Sequence, residues 1–105
     1  MSFNFGEFNP ALTKAINRVS KDTACIKFLR HARTAMDDDG FDDAGVLAGL
    51  RRGKVFGPEI QSGELRGNVL HSGFHIRVSV GDIEYASEDW SKLVSFTVVS
   101  VMRIE

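Results

Sequence analysis

Two hydrophobic periods divide the chain. From residue 10 to residue 53 the apolar positions recur every three or four residues, as on one buried helical face; beyond it they alternate, as in strands. Asn9 can cap a helix with Pro10 at its first position, and Leu12, Ala15, Ile16 and Val19 follow at helical spacing until Lys21-Asp22-Thr23. Ile26, Phe28, Leu29, Ala32, Ala35 and Met36 predict a second helix from about Phe28, reached through a short extended piece and stopped by Gly40. The segment FDDAGVLAGLRRGK predicts a third. Asp42 or Asp43 serves as cap or first-turn acid, Val46, Leu47 and Leu50 form the buried stripe, and Gly53 follows the end after Arg51 and Arg52.

In the second half Phe74, Ile76, Val78 and Val80 alternate with His75, Arg77 and Ser79, which predicts a half-buried strand. Residues 64 to 71 predict its neighbour, with Ser72-Gly73 as a two-residue hairpin turn. Val94, Phe96, Val98, Met102 and Ile104 are expected to line the apolar face of a last strand, with Ser95, Thr97, Val99, Val101 and Arg103 opposite. Lys54-Val55-Phe56 is expected as a first strand, broken at Gly57-Pro58. The predicted fold class is α+β, with the N-terminal helices packed on one face of a three- to four-stranded, mainly antiparallel sheet. With no repeat and no linker, residues 1–105 are expected to form one domain: an arm at 1–10 that docks through Phe3, Phe5 and Phe8, a helical part at 11–53 and a sheet at 54–105.

The turn permits register arithmetic. With Ser72 and Gly73 as the loop, His71 pairs with Phe74, Leu70 with His75, Val69 with Ile76, Asn68 with Arg77 and Arg66 with Ser79. Val69, Phe74, Ile76 and Val78 should then meet the helices, while Arg66, Asn68, His75 and Arg77 collect on the opposite face. If the last strand lies alongside with its apolar side inward, Arg103, Thr97 and Ser95 join them. An imidazole suits general acid or base work, and guanidinium groups suit phosphate oxygens, so this face fits an RNA phosphodiester. The plain alternative is that the open side of an antiparallel sheet is polar anyway.

Charge narrows the choice. The formal net charge is −1, which argues against a protein that coats nucleic acid by bulk electrostatics. Five acids nevertheless crowd into positions 37 to 43, and without them the chain is net positive. No stretch is apolar enough to span a bilayer and the start lacks the pattern of a secretory leader, so a soluble cytoplasmic protein with no membrane partner is expected. Cys25 is alone and has no evident base partner, which points to a small core residue. His71 and His75 fall on opposite faces in the register above, so with His31 they predict no metal site. The acidic run lacks the spacing of a calcium loop, and phosphate-loop, zinc-ribbon and hydrolase-elbow patterns are absent from the sequence.

The run IKFLRHARTAMDDDGFDDAGVLAGLRRGKVFG, followed by the hairpin and last strand, resembles a bacterial domain family with a His-Ala helix, a short acidic-Gly connector and a second helix ending in Gly before a small antiparallel sheet. That family is similar in fold to the RelE-like and motility-quorum-sensing-regulator toxins of the barnase/EndoU/colicin/RelE ribonucleases. In the latter toxins an aromatic hydroxyl and a basic residue alternate on the inner strand. Phe74-His75-Ile76-Arg77 resembles that strand, with His75 in the tyrosine's place, Arg77 in the lysine's and Arg103 at the terminal basic position, while Tyr85 lies beyond it. The resemblance implies a toxin-type RNA endonuclease, without cofactor or metal, acting on free or ribosome-bound RNA and held in check by a cognate antitoxin protein. His75, Arg77, Arg66 and Arg103 would be its catalytic set, and Asn68, Lys54, His31 and Arg33 its substrate-binding set. The alternative is a non-catalytic protein-binding module on the same scaffold.

Overall fold

The computed structural model describes residues 6–61, 63–82 and 90–104. Helix α1 (Pro10–Val19) starts as its sequence requires: Asn9 Oδ1 accepts the Leu12 amide at 2.9 Å, and Pro10 has no N–H to satisfy. Leu12, Ala15, Ile16 and Val19 are its buried stripe. A 3-10 turn (Thr23–Cys25) leads into a short strand β1 (Ile26–Phe28), and helix α2 (Arg30–Asp39) follows, burying Ala32 and Met36.

Helix α2 ends on Gly40 at φ 75°, a left-handed conformation. A Cβ there would meet nothing within 4 Å, so Gly40→Ala should cost only the backbone penalty. That is about 1 kcal/mol, or about 4–8 °C in thermal unfolding. No measurable change in melting temperature would show that the helix ends without help from this glycine.

Helix α3 (Asp43–Arg52) has Asp42 as its cap, with Oδ1 accepting the Gly45 amide at 2.7 Å. Asp43 in its first turn and Arg51 and Arg52 in its last complement the macrodipole. Four longer strands follow: β2 (Lys54–Gln61), β3 (Glu64–His71), β4 (Phe74–Asp82) and β5 (Phe96–Arg103). The sheet order is β1-β5-β4-β3-β2. Ser72 and Gly73 both have positive φ, 46° and 81°, as a tight turn matched to strand twist needs. Every pair expected from that turn is present, from His71↔Phe74 to Arg66↔Ser79.

The sheet differs from the expected one in three ways. It has five strands, because the extended piece before α2 is a strand of its own, paired in parallel with β5 from Ile26↔Phe96 to Phe28↔Val98. Strand β2 is not broken at Gly57-Pro58. A register shift between Phe56 and Glu59 absorbs those residues, and pairing with β3 resumes through Gln61. Strand β5 is also bulged: Val78 pairs with Val98 but Arg77 pairs with Ser100, which leaves Val99 as the extra residue. The bulge reverses the inside and outside of everything after it. Val101 is buried in the core and Met102 is exposed, opposite to the alternation read from the sequence.

Inward side chains of β2 to β5, including Val55, Leu65, Val69, Ile76, Val78, Val98 and Val101, form one core with Leu12, Ile16, Met36, Val46 and Leu50 from the three helices. The helices thus cover one face. Along the outer edge of β2 lies the preceding chain: Asn9 N donates to Val55 O at 2.9 Å, Gly57 N to Glu7 O at 2.8 Å, and the Phe8 ring meets Phe56 in a tilted contact with centroids 5.7 Å apart. Phe3, Phe5 and Tyr85 lie outside the described residues. Among the described residues no helix is long and apolar enough to cross a membrane.

Candidate functional site

Residues directly opposite each other in a ladder share a face. The pairs Leu70↔His75, Asn68↔Arg77 and Arg66↔Ser79 therefore put Arg66, Asn68, His75 and Arg77 together on the side away from the helices. Strand β2 adds Lys54, Phe56, Glu59 and Gln61 to this open face, and β5 adds Thr97, Ser100 and Met102.

A continuous polar network runs across it. His75 Nε2 lies 2.8 Å from Asn68 Oδ1, and Asn68 Nδ2 donates to Glu59 Oε1 at 3.2 Å. Arg77 approaches the same Glu59 oxygen at 3.6 Å and donates through Nη1 to Gln61 Oε1 at 3.1 Å. Arg66 Nη1 donates to that Gln61 oxygen as well, at 3.2 Å, and Arg66 Nη2 reaches Glu64 at 3.5 Å. The two guanidinium groups thus converge on one side-chain oxygen. Their Nε atoms are both buried and make no hydrogen bond to a described residue.

His75 is only 4% exposed, and its pKa is lowered to about 4. Burial is the main cause and the Arg77 charge the second, while Glu59 opposes both. The sequence suggests the direction from like charge alone; desolvation matters more, because Asn68 beside the ring is itself fully buried. The consequence for stability follows from linkage. Between about pH 4 and 6.5 the unfolded chain binds more protons at His75 than the folded one, so stability rises with pH across that window. The contribution is complete above the unfolded value of 6.5 and is lost as pH falls through about 4. It amounts to about 3 kcal/mol. Denaturant unfolding at a series of pH values should show this loss in the wild type and not in His75→Gln. Parallel curves for the two proteins would rule out the histidine as its source.

The other expected site residues are placed as follows. Arg103 does not join the open face: the bulge turns it to the helix side, opposite Phe74, where its guanidinium stands 4.8 Å from the Phe41 ring centroid and Nη2 donates to Asp39 O at 2.9 Å. Ser95 precedes β5 and Thr97 does reach the face. His31 and Arg33 are exposed on α2, with the sheet between them and His75, and Arg33 pairs with Asp43 at 2.6 Å. Lys54 lies on the open face, in the cross-strand row of Leu70 and His75, with Nζ 5.9 Å from the Phe8 ring. His71 faces α3 beside Gly49, on the other side from His75. Among the described residues no group of His, Cys, Asp and Glu has a metal-site arrangement. Partial burial and the Asp22 carboxylate hold the Cys25 thiol above its ordinary pKa, the reverse of what a nucleophile needs.

Glu59, Gln61 and Glu64, which organise the arginines, are absent from the expected set. Their signal was available. Once β2 is carried through Gly57-Pro58 as a bulge, Glu59 and Gln61 alternate onto the face of Arg66 and Arg77. Scanned against protein-family models, curated proteins and solved structures, the chain matches none.

Proposed function

We propose that the open face of the sheet binds the sugar–phosphate backbone of RNA and cleaves it, as a toxin-type endoribonuclease that a protein antitoxin would restrain. The observation that carries this reading is the meeting of Arg66 and Arg77 on Gln61 Oε1, beside an imidazole that is neutral at physiological pH. Two guanidinium groups aimed at one oxygen are spaced for the oxygens of one phosphate. Gln61, Glu59 and Glu64 hold the forks in place until an anion takes over. Ion pairs of this length near the surface are worth at most about 1 kcal/mol, so a phosphate can displace them.

In the reaction His75 removes the proton of a ribose 2′-hydroxyl, and that oxygen attacks the adjacent phosphorus. The bond from phosphorus to the 5′-oxygen breaks, and the leaving oxygen takes a proton from water. Arg66 and Arg77 stabilise the charge that builds on the phosphoryl oxygens.

With two arginines in the clamp, RNA affinity should fall with salt on a logarithmic slope of about −1.4, and Arg77→Gln should roughly halve it. Filter binding and gel assays of purified protein, with and without ribosomes, test both binding and cleavage. The non-catalytic protein-binding module is the second reading. It is favoured by the near-complete burial of His75 and the tie of its Nε2 to Asn68, both of which suit a structural imidazole. Wild-type protein that neither cleaves RNA nor binds it with salt dependence would overturn the ribonuclease reading.

A further inference from the structure

We infer that Glu59, acting through the Asn68 carboxamide, sets His75 as its Nε2–H tautomer and makes Nδ1 the ring nitrogen that accepts a proton. Donor and acceptor chemistry fixes the orientation of the amide. A carboxylate accepts and cannot donate, so the group that Asn68 turns toward Glu59 Oε1 at 3.2 Å must be its NH₂. The reverse orientation would press two oxygens together at that distance. The amide oxygen therefore faces the imidazole, 2.8 Å from Nε2. An amide oxygen also only accepts, so the hydrogen between them belongs to Nε2. In a neutral ring the lone pair then resides on Nδ1.

The surroundings favour this orientation of the amide. Asn68 is fully buried, so no solvent rearrangement can satisfy a flipped amide. Arg77 lies 3.6 Å from the same Glu59 oxygen and opposes a charged imidazole. Among the described side chains, the remaining charged groups on this face are Arg66 and Glu64 from β3, Lys54 from β2 and Lys27 from β1, opposite Thr97, while β5 contributes the uncharged Ser100 and Met102 opposite Arg77 and His75. Glu59 and Asn68 are thus positioning residues. Their catalytic consequence rests on the ribonuclease reading; the tautomer itself does not.

Long-range ¹H–¹⁵N spectra of histidine-labelled protein at pH 7 test the assignment directly. The wild type should show a protonated Nε2 and an unprotonated Nδ1 for His75. In Glu59→Gln residue 59 can donate as well as accept, so the amide is released and the Nδ1–H form should become measurable. Asn68→Asp presents acceptors only; it should keep the Nε2–H form and raise the His75 titration midpoint. A wild-type spectrum dominated by the Nδ1–H form, or a Glu59→Gln spectrum identical to it, overturns the inference. If the wild type cleaves RNA, Glu59→Gln should also lower kcat on the order of tenfold and change its pH profile. Loss of the predicted tautomer with cleavage intact would sink the tautomer assignment alone, whereas the predicted tautomer in a protein without cleavage would sink the ribonuclease reading alone.

Discussion

His75→Gln should lower the single-turnover rate of RNA cleavage by about 10² to 10⁴, the usual worth of a positioned base. Glutamine is the informative replacement because its amide can donate to Asn68 Oδ1 as the imidazole Nε2 does, which leaves the buried carboxamide satisfied. A folded but slow variant then reports on proton transfer and not on collapse of the site. The wild-type pH–rate profile provides an independent check. A base works unprotonated, so activity should persist on acidification until the pH nears about 4, well below the 6.5 of an ordinary histidine. A variant that cleaves at the full rate would remove His75 from the chemistry. The helix residues His31 and Arg33 would then be the next to test, on the other side of the sheet.

Gly53→Ala should destabilise the protein by about 3 kcal/mol, at the upper end of what overpacking costs. The sequence suggests the familiar reason for a glycine after a helix, a left-handed cap, but Gly53 has φ −73° and ψ 163°, which any residue can adopt. Its side chain is excluded by contact. A Cβ would stand 2.5 Å from Gly49 O, 2.7 Å from Val69 Cγ1 and 3.0 Å from Leu70 O. Two of these three atoms are backbone and cannot rotate away. Chemical denaturation measures the loss, and a variant as stable as the wild type would mean that α3 and β3 can separate locally at little cost. Gly40, which has the left-handed backbone and open space, should be the more forgiving of the two.

That contrast bears on how far the sequence could be read. The β3–β4 register was legible from His71↔Phe74 out to Arg66↔Ser79, because Ser72-Gly73 sets the loop length and loop length sets the register, while the shift beyond it, between Leu65 and Arg66, was not. The gathering of Arg66, Asn68, His75 and Arg77 follows from the same arithmetic. The placement of Arg103 was not legible, since Val98, Val99 and Val101 are apolar at both parities and alternation cannot show a bulge among them. Strand β1 is three residues long and its partner lies far along the chain, so no local pattern reveals the pairing. The acidic and amide partners of the arginines were hidden by Gly57-Pro58, which looks like the end of a strand and is a bulge within one. The face was therefore readable as a set of bases, whereas the groups that neutralise them needed the third dimension.

The order β1-β5-β4-β3-β2 places a strand from near residue 100 in the interior of the sheet, flanked by the earliest strand and by β4. An N-terminal fragment ending before Phe96 would therefore contain β1 with nothing to pair to and β4 with a bare flank. Its exposed ladder groups would invite other chains. Closure of this loop is also the most entropically demanding step of assembly, because Ile26 must find Phe96 across most of the polypeptide. Truncated products and slowly completed chains should accordingly be prone to aggregation and rapid proteolysis, and acquisition of the native state should be nearly all-or-none on insertion of the Phe96–Arg103 segment.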